Sequence, residues 1–405
     1  QQAFYNSGGI VKDSSSTLTS IVGRYFAKSK KYQFLSNVEI KNPKYTINSE
    51  QLDFFSETGM AYLYGKSTII GKTSTVYCER GYYNTRKDIG YFVKNSRVDY
   101  ENRIMYGDSI YFNRNKNFAS ATNNIRIIDT LNNSYVRGHY AEVFRDKDSV
   151  FITKRAVAIT VRENDSIYIH ADTLKITGKP DRRILRGFYK ARFFKRGIPG
   201  EEPTSGKCDS IYVNERTGIT KLLRNPILWS GENQMTGDTI HLLRNINTDK
   251  LDTLKVYNNS FVIQKDSAGY NQVKGERLIG LFTNNELDTI NIKKNTQVIF
   301  FSRNENEELV GINNTTSSSI QMYLENQEIR GIRFIKKVNG KLYPPSQFPE
   351  NARILPGFKW FGDERLLKVS DLFKGKPAPI LPKIKGIHLP KKEEDFFNNE
   401  AEKYN

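Results

Sequence analysis

Along most of the chain apolar and polar residues alternate with a period of two, the mark of strands that turn one face to a core. Two recurring signatures organise that alternation. The first is a small residue, an acid, one variable residue and then apolar positions two apart. Ser49-Glu50 leads Leu52 and Phe54, Gly107-Asp108 leads Ile110 and Phe112, and Ala171-Asp172 leads Leu174 and Ile176. Cys208-Asp209 leads Ile211 and Val213, and Gly237-Asp238 leads Ile240 and Leu242, with weaker copies at Cys78-Glu79, Ala141-Glu142 and Gly275-Glu276. The second signature is Asn, Lys or Arg opening another alternation, at Asn37, Lys66, Asn95, Asn124, Arg155, Lys190, Asn225, Asn259 and Asn295; successive members lie 29, 29, 29, 31, 35, 35, 34 and 36 residues apart. A period of this kind announces a repeat architecture.

Asp108 to Asn124 is 16 residues, and the return leg from Asn95 to Asp108 is 13. Each interval holds two short strands and a turn but no crossover helix, so each unit is two hairpins. Gly, Asn and Asp tolerate unusual backbone angles and bond locally freed backbone groups, which makes both signatures corners where a strand passes from one sheet to a facing one. The expected fold is all-β: an elongated two-walled β-jelly roll, or β-taco solenoid, built of hairpin repeats of 29 to 36 residues. Apolar faces of the two walls meet inside. The candidate lining is Leu52, Phe54, Ile110, Phe112, Leu174, Ile176, Ile211, Val213, Ile240 and Leu242 after the acid corners, with Val38, Ile40, Ile125, Ile127, Ala191 and Phe193 after the others. Their neighbours Asp53, Tyr111, Lys175, Tyr212, His241, Glu39, Arg126 and Arg192 face out. Such an interior is either a groove for an apolar ligand or a core packed shut.

Eight of the thirteen prolines fall between Pro344 and Pro390, where the repeat fades. Residues 1–340 are therefore expected to form the repeat domain and residues 341–405 a Pro-rich cap and mobile tail. An insertion at 197–207, GIPGEEPTSGK, lengthens one hairpin.

Composition agrees with strands: 23 Tyr and 24 Phe stand beside abundant Ile, Val and Thr. The net charge of +18 fits an anionic partner such as a phosphorylated lipid, while the scatter of Lys and Arg argues against nucleic acid. No apolar run reaches membrane-spanning length. The chain begins Gln1-Gln2 with no charged-then-apolar leader, so an export signal is expected to be missing from this sequence. Catalysis is not expected, because the acids recur once per unit, as structural residues do. No metal or cofactor is expected either: His139, His170, His241 and His388 show no ligand spacing. Cys78 and Cys208 fill the small-residue slot in distant units and are expected to stay unpaired.

The motifs resemble those of the OstA/LptA family, the organic-solvent-tolerance and lipopolysaccharide-export proteins. The residues that carry the likeness are GDSIYF from Gly107, NIRIID from Asn124, IHADTL from Ile169 and NPILWS from Asn225, and unit after unit extends it over about residues 20 to 335. The resemblance implies a periplasmic lipid conduit holding lipid A acyl chains between its walls, linking an inner-membrane exporter to an outer-membrane translocon, with end-to-end self-association. This chain is longer than the compact family type and carries wide insertions after Asp172 and Asp238, so a whole bridge and an accessory to the translocon both stay open. The competing class is a structural or adhesive repeat scaffold of the cell envelope that carries no lipid.

Overall fold

The computed structural model describes residues 2–12, 15–161, 166–180, 182–197, 203–283, 286–325 and 328–387. His388, the end of the tail (388–405) and the centre of the insertion (198–202) lie outside the described residues. The described residues form 28 strands and five short 3-10 turns, with no α-helix among them. Two compact units divide the chain, one of residues 1–131, 135–146 and 380–405, the other of residues 132–134 and 147–379.

In the first unit, long strands such as Lys31–Asn42, Tyr45–Phe55, Met60–Gly71, Ser74–Asn84, Ile89–Tyr100 and Arg103–Asn113 pair antiparallel with their sequence neighbours. Each pairing breaks register once, in mid-strand, at the expected corners: between Leu35 and Val38, Ser49 and Gln51, Tyr64 and Ser67, Tyr77 and Arg80. One strand thus serves two hairpins, one on each side of a crease. In the second unit some strands stop at the crease, giving pairs such as Ser149–Thr153 and Val157–Thr160, while Leu251–Asp266 and Glu286–Arg303 run through it.

The crease has a defined backbone. Of the nine Asn-type corner residues, all but Lys66 take left-handed angles, from Asn124 at φ 48 to Arg155 at φ 61, and the residue before each does the same. At Lys66 the preceding Gly65 supplies the positive angle, φ 74. Asn is among the few residues with a Cβ that enter this region readily, which is why it dominates the slot. Its amide also ties the two kinds of corner together. Asn95 donates to Glu79 at 2.7 Å, Asn124 to Asp108 at 2.9 Å and Asn259 to Asp238 at 3.0 Å. The residue before the corner Asn can add a charge to the same acid: Lys94 pairs with Glu79 at 2.8 Å and Arg224 with Asp209 at 3.0 Å. Small residues before the acids satisfy carbonyls that the bend frees: Ser49 Oγ donates to Gln51 O at 2.8 Å and Cys208 Sγ to Ser210 O at 3.2 Å.

The interior follows from the crease. In the first unit one cluster joins Phe34, Leu52, Leu63 and Phe92 from one side with Val38, Ile47, Ile69 and Val76 from the other, so the apolar faces meet. Turns at the free ends are closed by Asx bonds; Asn84 Oδ1, for example, accepts from the backbone of Arg86 and Lys87.

Candidate functional site

Strand register converts the alternation into continuous rows. In the first unit Phe34, Leu52, Leu63, Gly81, Phe92, Ile110 and Ala121 stand opposite one another strand by strand. Beyond the crease Ile40, Ile47, Ile69, Val76, Val98, Met105 and Ile127 form the facing row. In the second unit Leu174, Gly187, Ile211, Leu222, Ile240, Val256, Leu278, Ile292 and Ile320 make one row. A parallel row there includes Ile176, Val213 and Leu242.

Ten of the sixteen candidate lining residues are buried: Val38, Leu52, Ile110, Ile125, Ile127, Leu174, Ala191, Phe193, Ile211 and Ile240. Ile40, Phe54, Phe112, Ile176, Val213 and Leu242 are half-buried and stand nearer the open ends of the strands. Packing is tight between large and small partners. A Cβ at Gly81 would come within 2.6 Å of Phe92, and one at Gly90 within 2.5 Å of the same ring, so these glycines make room for the phenyl group. Phe112 stacks on Tyr83 at 6.1 Å and on Phe92 at 6.3 Å. In this conformation the two walls fill the space between them with their own side chains.

The outer faces are less uniform than the alternation implies. Arg126 is exposed and Tyr111, Lys175, Tyr212, His241, Glu39 and Arg192 are half-buried, but Asp53 is 3% exposed. Its carboxylate lies 3.3 Å from Lys31, itself buried, and burial holds the carboxyl above the usual range against the pull of that lysine.

Residues 344–379 explain a second departure. In the second unit they pack along the face of one wall that is turned away from the interior. Phe348 and Leu355 join a buried cluster with Phe261, Ile263, Ile299, Phe301 and Ile312, flanked by Phe358 and Trp360. Two fully buried glutamines grip the backbone of this segment. Gln272 Nε2 donates to Arg353 O at 2.8 Å while its Oε1 accepts from Leu355 N at 2.9 Å. Gln234 repeats the pattern with Lys359 O and Phe361 N, both at 2.7 Å. Further along, one Arg192 nitrogen donates to the carbonyls of Asp371, Leu372 and Lys374. The segment ends in a polar triad that the sequence did not reveal. Lys376 Nζ lies 2.7 Å from Asp172 and 2.7 Å from His170 Nε2, and His170 Nδ1 lies 2.6 Å from Ala156 O. A carbonyl only accepts, so Nδ1 carries the proton and Nε2 accepts from the lysine. Burial pushes this imidazole down to about 4, with Lys376 and Arg192 adding to the effect. In the first unit Ile384 and Ile387 pack against Tyr62, Tyr64, Tyr82, Tyr91 and Val93, and Tyr91 donates to Lys385 O at 3.0 Å.

Cys78 and Cys208 are both buried and free, and burial raises each thiol to about 12. Neither is a thiolate at neutral pH, so they act as small apolar fillers. Among the described residues no group of three His, Cys, Asp or Glu could hold a metal ion.

Comparison with known proteins gives a family match and a structural likeness. The model of the OstA-like protein family matches residues 1–50. The solved structure of LptH, the LptA-homologous periplasmic component of the lipopolysaccharide transport device of Pseudomonas aeruginosa, is 12% identical in sequence. The likeness covers 29% of this chain and 80% of that one, with a TM-score of 0.25. No curated protein matches the chain.

Proposed function

We propose, from the OstA-like match over residues 1–50, that this protein is a non-enzymatic lipid conduit of the periplasm. On this reading it carries lipopolysaccharide between an inner-membrane exporter and an outer-membrane translocon. Unbroken rows of inward apolar side chains on both sides of the crease are the observation that supports it most. A row such as Leu174 to Ile320 offers similar apolar contacts at each strand but that of Gly187, which suits acyl chains that are held yet move along. Each buried CH₂ contributes ~0.8 kcal/mol, so a multi-acylated lipid would be held firmly even after ordering costs. Because the walls are in contact, chains enter by parting them, and the half-buried Phe54, Phe112, Ile176, Val213 and Leu242 nearer the open ends are the first they meet. Partners recognise the ends of the rows, and copies of the chain associate end to end.

Photo-crosslinking in cells tests the reading. A photoreactive residue at Phe112, Ile127 or Ile211 is expected to capture lipopolysaccharide, and one at Tyr111, Arg126 or Tyr212 is not. Equal capture from both faces, or capture from neither by a folded and exported protein, would overturn the conduit and leave an envelope scaffold whose two walls form an ordinary core.

A further inference from the structure

On the outside of the first unit, beyond the crease, strand register sets Tyr77, Arg97, Tyr106 and Arg126 side by side. Beside this row lies an open depression of about 960 Å³, lined among others by Tyr77, Arg80, Ser96, Arg97, Tyr106 and Asp108, with Ile384 along one edge. Part of its polar lining is already fixed. Arg97 holds Asp99 through two nitrogens at 2.6 and 2.7 Å and lies over the Tyr106 ring at 5.8 Å, and Asp108 is held by Asn124. The rest is unspent. Among the described residues the hydroxyls of Tyr77 and Tyr106 and the guanidinium of Arg80 have no hydrogen-bond partner. Phenol hydroxyls and a guanidinium left unspent around one hollow leave it donors and acceptors with which to hold a ligand.

The mixture of groups narrows the ligand. Flat phenol rings suit the C–H face of a sugar, the hydroxyls and Asp108 suit its hydroxyl groups, and the planar fork of Arg80 suits a phosphate. Asp99 and Asp108 in the lining disfavour a polyanion such as nucleic acid, whereas a ligand with one or two phosphates and many hydroxyls meets both signs of charge. The volume stands at the upper end of the roughly 300–1,000 Å³ typical of ligand pockets, more than a bare anion fills. We infer that this depression is a binding site for a phosphorylated saccharide. The inference deepens the proposed function and rests on it for the source of the sugar, the phosphorylated headgroup of the lipid whose chains lie inside.

Calorimetric titration of the full chain with deacylated, phosphorylated oligosaccharide prepared from lipopolysaccharide tests the site. Saturable binding is expected, weakened at least tenfold by Arg80→Gln and severalfold by Tyr106→Phe, and unchanged by Lys221→Gln in the other unit. The same oligosaccharide stripped of phosphate is expected to bind at least tenfold more weakly. Absence of binding, equal binding with and without phosphate, or indifference to both pocket substitutions would overturn the inference. Full competition by inorganic phosphate at equal concentration would overturn the saccharide part and leave an anion site only. Circular dichroism of each variant checks that the fold persists, and Tyr106→Phe, which removes only an unpartnered hydroxyl, stands as the second variant if Arg80→Gln unfolds. Crosslinking from Ile127 reports the lipid path independently, so either result can fail alone.

Discussion

His170 is the residue where protonation and packing are most directly coupled. Its imidazole is 1% exposed, donates to Ala156 O, accepts from Lys376 and has Arg192 and Asp172 as charged neighbours. The folded pKa lies near 4 against 6.5 for the free side chain, so between those values the unfolded chain binds a proton that the folded one refuses. Stability at this site is therefore full above pH 6.5 and falls as the pH drops towards 4, by about 3 kcal/mol at most. The expected outcome is a lower melting temperature at pH 4.5 than at pH 7.5, with the difference reduced in His170→Gln; an unchanged difference would show that other groups carry it. The sequence placed His170 in the IHADTL motif but gave no sign of its partner, because Lys376 lies 206 residues away in a segment without repeat.

For the strand, the decisive local feature is the left-handed corner. At Asn259, φ is 50, and the side chain ties this corner to Asp238 at 3.0 Å. Asn259→Gly keeps the backbone angle and loses one hydrogen bond, whereas Asn259→Val loses the bond and also strains the backbone. Urea denaturation is expected to show Val destabilising by about 1–2 kcal/mol more than Gly. The same logic explains why the corners were legible: a recurring Asn, an acid and a small residue each answer a local demand of the bend, and local demands are written in the sequence. Row membership was legible too, since period-two contrast fixes which face is inside. The outer cover was not. Val298, Ile299, Phe300 and Phe301 run apolar without alternation, as do Phe261, Val262 and Ile263, and both runs mark a wall buried on its two faces. What buries the second face is Phe348, Leu355 and their neighbours, which the sequence presents only as a Pro-rich ending.

On the scale of the whole chain, those closing residues contribute to the packing of each unit. Removal of residues 344–405 would uncover Phe261, Ile263, Ile299, Phe301 and Ile312 in the second unit and Tyr64 and Val93 in the first. The truncated protein is expected to bind an apolar dye that the full chain does not, and to melt at least several degrees lower while its far-ultraviolet spectrum stays β-rich. An unaltered melting temperature would show that the cover adds nothing to stability. The excess of 62 Lys and Arg over 44 Asp and Glu belongs to this scale as well, since a strongly positive molecule attracts anionic partners more weakly as salt is raised.

The glutamine grips also set an order in time. Ladder strands pair with near neighbours in sequence, so most of their contacts close short loops. The covering segment is the reverse: its bonds at Gln272, Gln234, Arg192 and His170 span 81, 125, 179 and 206 residues. Closing a loop costs more as it lengthens, though each doubling adds only about 0.6 kcal/mol. Once the Gln272 bond has formed, each later bond needs only the short stretch of chain between grips to be fixed. Refolding should therefore zip from Gln272 towards His170, after the sheet exists and in one direction. Gln272→Ala would slow that last phase more than Arg192→Ala does, because it removes the first and shortest loop from which the rest of the closure proceeds.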